Sequence, residues 1–380
     1  MKRKWLVFLA IALLLSGTGC WDMLDIEKQG FVLTLGIDTI KSQEQLISEG
    51  IPEASSDLIQ VTMEILSPQL MKKKEGKATF VLSQDAGTVE EALRLAQGQI
   101  ARKISLAHLR AVIVGEDFAR KGIKDLIDYL EKHPRTADRI RITFIQDKRA
   151  EDVIRMPLVS EKSVADIITK MGELDVFYAF HCPLNFNEFL VLLKTNNGTC
   201  YATRHYLSET GWLIKSGAAV IKDWKLAGWL DAYAVRRANW ITGRMNQATV
   251  SAQAGEMRVT YNIVRTKTHT EPYLVNGQPR FLVKIKTDGH LVQLENGIKQ
   301  IDPKVHKELE GALAQHIKGE AEKALAEAQQ KYQADYLNIG QSLFNTYPAV
   351  YQNSNWPEVF PRVPVEVQVE ARITRFSRKR

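Results

Sequence analysis

Eleven consecutive apolar residues, Trp5 to Leu15, follow Lys2-Arg3-Lys4 and give way to Ser16-Gly17-Thr18-Gly19 and then Cys20. This feature constrains the chain most, because it decides the compartment in which everything after it must fold. As a helix the run is about 16 Å long, roughly half of a ~30 Å hydrocarbon core, so it is too short for a comfortable permanent span. A basic start, a short apolar segment and a small-residue end read as a secretory leader over residues 1–19. A cysteine placed directly after such a leader is what bacterial lipoprotein processing requires. The Cys20 thiol would carry a diacylglyceryl group, and the amino group exposed by cleavage a further acyl chain such as palmitate. Each buried methylene contributes ~0.8 kcal/mol, so two or more chains anchor stably to a bilayer. Position 17, where a lipobox usually has leucine, is glycine. The plainer reading is an ordinary secretory signal that happens to precede a cysteine.

Export matters for the other two cysteines, Cys182 and Cys200. In an oxidising compartment they can form a disulfide, and a loop of that length is stabilised by ~3 kcal/mol in the chain-entropy account. Two separate buried thiols are the equal alternative. His181 and His205 flank the pair, but the spacing matches no zinc template, which wants ligands in close pairs. No metal and no cofactor is expected.

The composition, 45% apolar and 25% charged, suits a chain that folds around real cores and excludes a largely disordered one. The formal net charge of +7 includes Lys2, Arg3 and Lys4. The remaining positive charge is mild and dispersed apart from Arg372, Arg375, Arg378, Lys379 and Arg380 at the C-terminus, which read as a solvated tail. A nucleic-acid partner is therefore not expected.

Hydrophobic patterning predicts strands at Phe31 to Ile37, Leu58 to Leu66, Ala111 to Val114 and Arg139 to Gln146, the last with one wet face. Thr88-Val89-Glu90-Glu91 is a capping box that starts a helix with Val89, Ala92, Leu93, Ala96 and Ile100 inward. A single helix opening at Asp117 is predicted to run to Leu130. Residues 151–209 read as mostly helical, with helices at Ser163 to Met171 and Asn185 to Lys194 and a turn at Asn196-Asn197-Gly198.

The pattern changes from Gly211 onward. A strand at Ser216 to Lys222 and a turn at Asp223-Trp224 precede a predicted helix from Leu226 to Arg244. Met257 to Thr270, Phe281 to Leu294 and Val363 to Ile373 alternate like long antiparallel strands with one buried face. A long helix lies between the second and third of these. It is capped by Asp302, has Pro303 at its first position, carries Leu309, Leu313, Ile317 and Leu325 in its stripe, and is expected to close at Gly340. The fold class is thus α+β and multidomain. A mixed α/β N-terminal domain spans 21–205, divisible near 150. A C-terminal domain over 206–380 has a largely antiparallel sheet packed by the long helix.

No catalytic set emerges from these residues. The glycines form neither a P-loop nor a dinucleotide fingerprint, and no Gly-x-Ser-x-Gly, His-Glu-x-x-His or Ser-x-x-Lys arrangement is present. His108 reads as a structural hydrogen-bonding residue, Glu90-Glu91 as helix-start charge, and Trp224, Trp229 and Trp240 as core. Asn338 to Pro361, with Tyr347, Tyr351, Trp356 and Phe360, either presents a docking face or covers the end of a sheet.

Four ordered blocks add a resemblance. Cys20-Trp21-Asp22, Ile26-Glu27 and Phe31-Val32-Leu33-Thr34-Leu35-Gly36-Ile37-Asp38 form the first. The second is Arg102-Lys103-Ile104-Ser105-Leu106-Ala107-His108-Leu109-Arg110 running into Val112-Ile113-Val114-Gly115-Glu116. The third is Lys222-Asp223 with Leu226 and Gly228-Trp229-Leu230. The fourth joins Asp335-Tyr336-Leu337-Asn338-Ile339-Gly340 to Tyr347-Pro348, Trp356-Pro357 and Phe360. Together they resemble the Ger(x)C family, the C subunits of spore nutrient-germinant receptors. The resemblance implies a lipoprotein anchored at Cys20 on the outer surface of the spore inner membrane. It also implies assembly with membrane A and B subunits, and no enzymatic activity. The alternative from a different class is a substrate-binding lipoprotein of a transporter, which needs a cleft between two similar lobes.

Overall fold

A computed structural model describes residues 28–40, 58–67, 78–132, 140–159, 161–174, 179–182, 184–245, 247–255, 257–294 and 302–376. The expected leader, Cys20, Trp21 to Glu27 and the last residues of the basic tail lie outside them.

The first sheet has nine strands in the order β3-β2-β1-β5-β6-β7-β8-β9, with short β4 also on β1. Its centre is β1 (Gln29–Thr39), which is buried from Gly30 to Asp38. A nearly unbroken apolar run is what a strand covered on both faces requires. β2 (Ile59–Leu66) and β3 (Thr79–Ala86) extend it antiparallel on one side. On the other side β4 (Lys103–Ser105) and β5 (Ala111–Gly115) lie parallel to it, then β6 (Arg141–Ile145) and β7 (Cys200–Leu207) continue in parallel. β8 (Leu213–Lys222) and β9 (Lys225–Leu230) close the far edge antiparallel.

Crossovers place helices on both faces. α1 (Val89–Gln97), α2 (Glu116–Lys121), α3 (Lys124–Glu131) and α6 (Phe186–Thr195) share one core, around Val112, Val114 and Phe144. α4 (Ala150–Arg155) and α5 (Val164–Glu173) cover the other, around Ala111, Ile113 and Ile145.

Buried carboxylates decide where the helices of that second face begin. Glu64 of β2 is only 1% exposed. It accepts hydrogen bonds from Thr34 Oγ1 at 2.6 Å and Thr79 Oγ1 at 3.2 Å, and from the amides of Val164 at 2.9 Å and Ala165 at 3.3 Å. Those amides are the first of α5, where the helix dipole favours negative charge. Asp38 at the end of β1 does the same for α4, accepting from Ala150 N at 2.8 Å and Glu151 N at 3.0 Å. Its carboxyl pKa is nevertheless raised, because burial outweighs those bonds. Gly115 has to be glycine beside it, since a Cβ there would stand 2.1 Å from Asp38 Oδ1.

The second sheet, β10-β11-β12-β13, follows α7 (Ala232–Ile241) and comprises β10 (Thr249–Ala254), β11 (Met257–Val275), β12 (Gln278–Leu294) and β13 (Val365–Phe376). α8 (Pro303–Ala326), capped by Asp302, lays Leu309, Leu313, Ile317, Ala321 and Leu325 across it. That core also takes Tyr201, Val220 and Leu230 from β7–β9, so the two sheets share buried surface.

The structure corrects several expectations. Leu226 to Leu230 is strand, because the two-residue Asp223-Trp224 turn folds it back on β8 as a hairpin; Asp231 then caps α7. The helix opening near Asp117 is two helices, separated at Gly122, whose φ of 149° interrupts helical geometry. The expected wet face of β6 is covered, with Thr143 fully buried. The end of the mostly helical 151–209 segment is β7. β13 lies parallel to β12, since the intervening α8 crosses the sheet before the chain returns. The long helix does not run to Gly340. Its α-helical part ends at Ala326, a π turn occupies Glu327–Tyr332, and left-handed Gln333 stops it. Gly340 instead opens α9 (Gly340–Thr346), which α10 (Pro348–Asn353) and α11 (Trp356–Val359) follow. Trp356 is buried against Phe281 and Phe360, and Phe360 is buried too, so these two aromatics cover the end of the sheet and do not form a docking face. The last two strands of the first sheet, β8 and β9, lie after residue 206 and carry that sheet on to Leu230.

Glu64→Ala would strand two amides and two hydroxyls in a dry layer. Its stability should fall by about 3 kcal/mol or more in urea unfolding, with Glu64→Gln intermediate. A loss within ~0.5 kcal/mol, the range of ordinary surface substitutions, would show that Glu64 does not set the start of α5.

Candidate functional site

The cysteine–histidine group forms neither a disulfide nor a metal-type cluster among the described residues. Cys182 and Cys200 are both buried and both free thiols. Cys182 faces the core shared with the second sheet, whereas Cys200 faces the α6 side of the first. The Cys182 thiol donates to the Tyr201 carbonyl at 3.6 Å. Burial pushes the Cys200 thiol well above its usual range, which disfavours the nucleophilic thiolate. His205 is buried with Nδ1 2.6 Å from Thr143 Oγ1, and burial holds its pKa well below 6.5. Among the described residues no group of three or more His, Cys, Asp and Glu side chains is arranged to hold a metal. His108 is exposed in the turn between β4 and β5, where its ring meets Phe31 edge-on at 4.5 Å.

The four blocks singled out in the sequence do converge, and they do so as joints. The first and second meet along β1 and β5. Phe31 touches His108, Arg110 N donates to Leu33 O at 2.9 Å, and Gly115 makes room for Asp38. The second meets the third where Trp229 Nε1 donates to Glu116 Oε1 at 3.3 Å. The third meets the π turn at the end of α8. There Tyr332 OH donates to Trp229 O at 2.8 Å, and Lys222 Nζ to Tyr332 O at 3.3 Å. A Cβ on Gly228 would stand 2.9 Å from the Tyr332 ring.

The fourth block closes on itself. Asp335 Oδ1 accepts from Ile339 N at 2.9 Å, and its Oδ2 accepts from Gly340 N at 2.7 Å and Trp356 Nε1 at 2.9 Å. The Trp356 indole lies so near Gly340 that a Cβ there would come within 2.3 Å of Nε1. Asn338 takes a φ of 59° inside this loop. The Asp335 carbonyl accepts from Asn196 Nδ2 at 2.6 Å, which ties the knot to the turn before β7. Sequence patterning marks these residues without giving them a role, because several of their partners lie far off in sequence, 113 positions for Trp229 and Glu116 and 139 for Asn196 and Asp335.

A further link that patterning missed joins α7 to α8. Arg236 and Glu320 pair at 2.8 Å with side chains 14% and 12% exposed. The Arg236 guanidinium lies beside the edge-to-face pair of Phe180 and Tyr233, 5.4 and 5.3 Å from their ring centroids. Only the charge opposition across two helices could have signalled it.

Burial raises the Asp335 carboxyl from 3.8 to about 6, against the lowering effect of its three donors. A carboxyl whose folded pKa is raised stabilises fully below its unfolded pKa, and that stabilisation is lost as pH rises through the folded value. Relative to Asp335→Asn, the protein should therefore lose up to about 3 kcal/mol of unfolding free energy between pH 4 and 6 and then level off. An equal difference at pH 4 and pH 7 in denaturant titrations would contradict this assignment.

Comparison with known proteins matches the chain almost end to end. Residues 22–204 match the Spore germination protein N-terminal domain, and residues 216–377 match Spore germination B3/GerAC like, C-terminal. Among relatives from Bacillus subtilis (strain 168), Spore germination protein YndF is 22% identical, with 99% of this chain and 98% of the relative covered. Spore germination protein KC is 22% identical (99% and 96%), and Spore germination protein B3 is 24% identical (96% of both). The solved structure described as the crystal structure of the GerBC protein shares the fold. Its TM-score is 0.58 at 16% identity, covering 92% of this chain and 100% of that one. The chain belongs to the Ger(x)C, or GerAC-like, family of spore germination proteins, the C-subunit family of germinant receptors.

Proposed function

We propose that this chain is the lipid-anchored C subunit of a nutrient-germinant receptor. Cys20 holds it on the outer surface of the spore inner membrane, and it acts by assembly with the membrane A and B subunits. The observation that carries this reading is the family match over both halves of the chain, in one order. The joints between the four blocks fit a rigid protein whose work is to present surfaces. Anchoring confines the folded part to a thin layer above the bilayer. That raises its effective concentration near membrane partners, so individually weak contacts suffice.

Function by assembly and not by turnover fits the contacts of these side chains. His108 contacts an aromatic ring, His205 bonds a threonine, and the most buried carboxylates are occupied by helix amides. A transporter-type binding protein would be built from two similar lobes. Here a nine-stranded mixed sheet stands beside a four-stranded one, which favours the receptor reading.

Cys20→Ala should abolish acyl labelling and move the protein from membranes to the soluble fraction. Retention of label on the membrane-bound variant would place the anchor elsewhere. Deleting the gene should impair germination with a defined nutrient while leaving germination by receptor-bypassing agents untouched. Normal nutrient germination in a deletion strain without redundant homologues would contradict the receptor reading.

A further inference from the structure

The second sheet turns one face to its core. α8 lies across that face, and Val283 and Ile285 of β12 point into it with Val367 and Ala371 of β13. Successive side chains of a strand alternate between faces, so the residues between these point the other way. Register sets them in rows across three strands. One row is Arg265, Asp288 and Arg372, and the next is Lys267, Lys286 and Glu370. The four cations of these rows are all exposed, as is Arg280, which lies opposite Tyr273 nearer the hairpin turn.

Charge on this outward face does not cancel. Lys267 stands directly opposite Lys286, where like charges cost a sheet stability and opposite charges would add to it. Glu370 is shared, pairing with Lys286 at 3.0 Å and also with Arg372. Arg265, Lys267 and Arg280 have no ion pair among the described residues. The two rows surround a hollow of about 200 Å³. Apolar side chains accompany the cations. Tyr273 and Val275 are 38% and 39% exposed beside the Asn276-Gly277 turn. Val264 and Val292 follow the buried Ile263 and Leu291, and each is 52% exposed.

We propose that this outward face of the second sheet docks on an anionic lipid bilayer. Its unpaired cations meet headgroup phosphates, and Tyr273 and Val275 enter the interfacial layer at the hairpin end. Membrane binding of this kind scales with buried apolar area plus attraction to anionic lipid, and this face supplies both. A compact anion would need donors that converge on it. Here the cations run from Arg265 to the level of Tyr273, about 27 Å along the strand, which suits a planar array of anions. Tyrosine suits the boundary, because its ring is apolar and its hydroxyl stays wet. The choice of a bilayer over other anionic surfaces rests on the Cys20 anchor proposed above. Binding itself needs neither the acyl chains nor a receptor partner.

The test uses residues 21–380, which contain every described residue and carry no acyl group when Cys20 is left out. Co-sedimentation is measured with vesicles of phosphatidylcholine alone and of phosphatidylcholine mixed equally with phosphatidylglycerol. The protein should bind the anionic vesicles, weaken as salt rises, and ignore the neutral ones. Arg265→Gln with Lys267→Gln should weaken binding about tenfold or more. Lys304→Gln with Lys307→Gln removes the same charge from exposed positions at the start of α8 and should leave binding unchanged. Tyr273→Ser, with charge intact, should also weaken it. Circular dichroism checks that each variant folds. Absence of binding to anionic vesicles overturns the proposal and leaves an acidic protein segment as the candidate for this face. Equal binding to neutral vesicles overturns it too, as does equal weakening by both double variants or by neither. No arm involves acylation or germination, so failure here and failure of the anchored-receptor reading are distinguishable.

Discussion

A carboxylate taken out of water is stable only if other donors replace the water, and the helix starts on which both sheets depend are built on that requirement. Glu64 and Asp38 sit on neighbouring strands of the first sheet and receive the opening amides of α5 and α4. Asp335 receives the amides that open α9, together with the Trp356 indole. In each case the helix can begin only where the strand or loop puts the charge. Layer, register and crossover are thereby coupled. Close-packed glycines follow from the same geometry, Gly115 beside Asp38 and Gly340 beneath Trp356.

Much of this was legible in the residues. The apolar run from Phe31 to Ile37 announced a strand, and the caps Thr88, Ser163, Asn185 and Asp302 stand where their side chains predict. What escaped was set by partners distant in sequence. Glu64 looks like a stray polar residue in an apolar strand until the amides of Val164 and Ala165 are placed against it. The segment Lys225–Leu230 has helix-compatible residues, yet pairing with β8 outweighs that local preference. The direction of β13 is invisible in its alternation, which is the same for parallel and antiparallel neighbours when one face is wet. It follows from the crossover of α8.

The blocks that carry the family resemblance are contact points between distant parts of the chain, from Phe31 on His108 to Asn196 on Asp335. Relatives 22–24% identical match nearly the whole length of the chain. Joints fix the relative placement of elements, while exposed faces between them are free to differ. The receptor-subunit reading proposed above calls for this division. The joints keep two unlike sheets in one arrangement, and the surfaces between them are available to partners and ligands.

The central claim is that this arrangement is one part of a membrane assembly. It is tested most directly by isolating the tagged, full-length chain from detergent-solubilised spore membranes and identifying what remains bound after stringent washing. The account predicts germinant-receptor A and B membrane subunits in near-stoichiometric amounts. Recovery of the chain alone, or with the membrane domains of a solute importer, would contradict it.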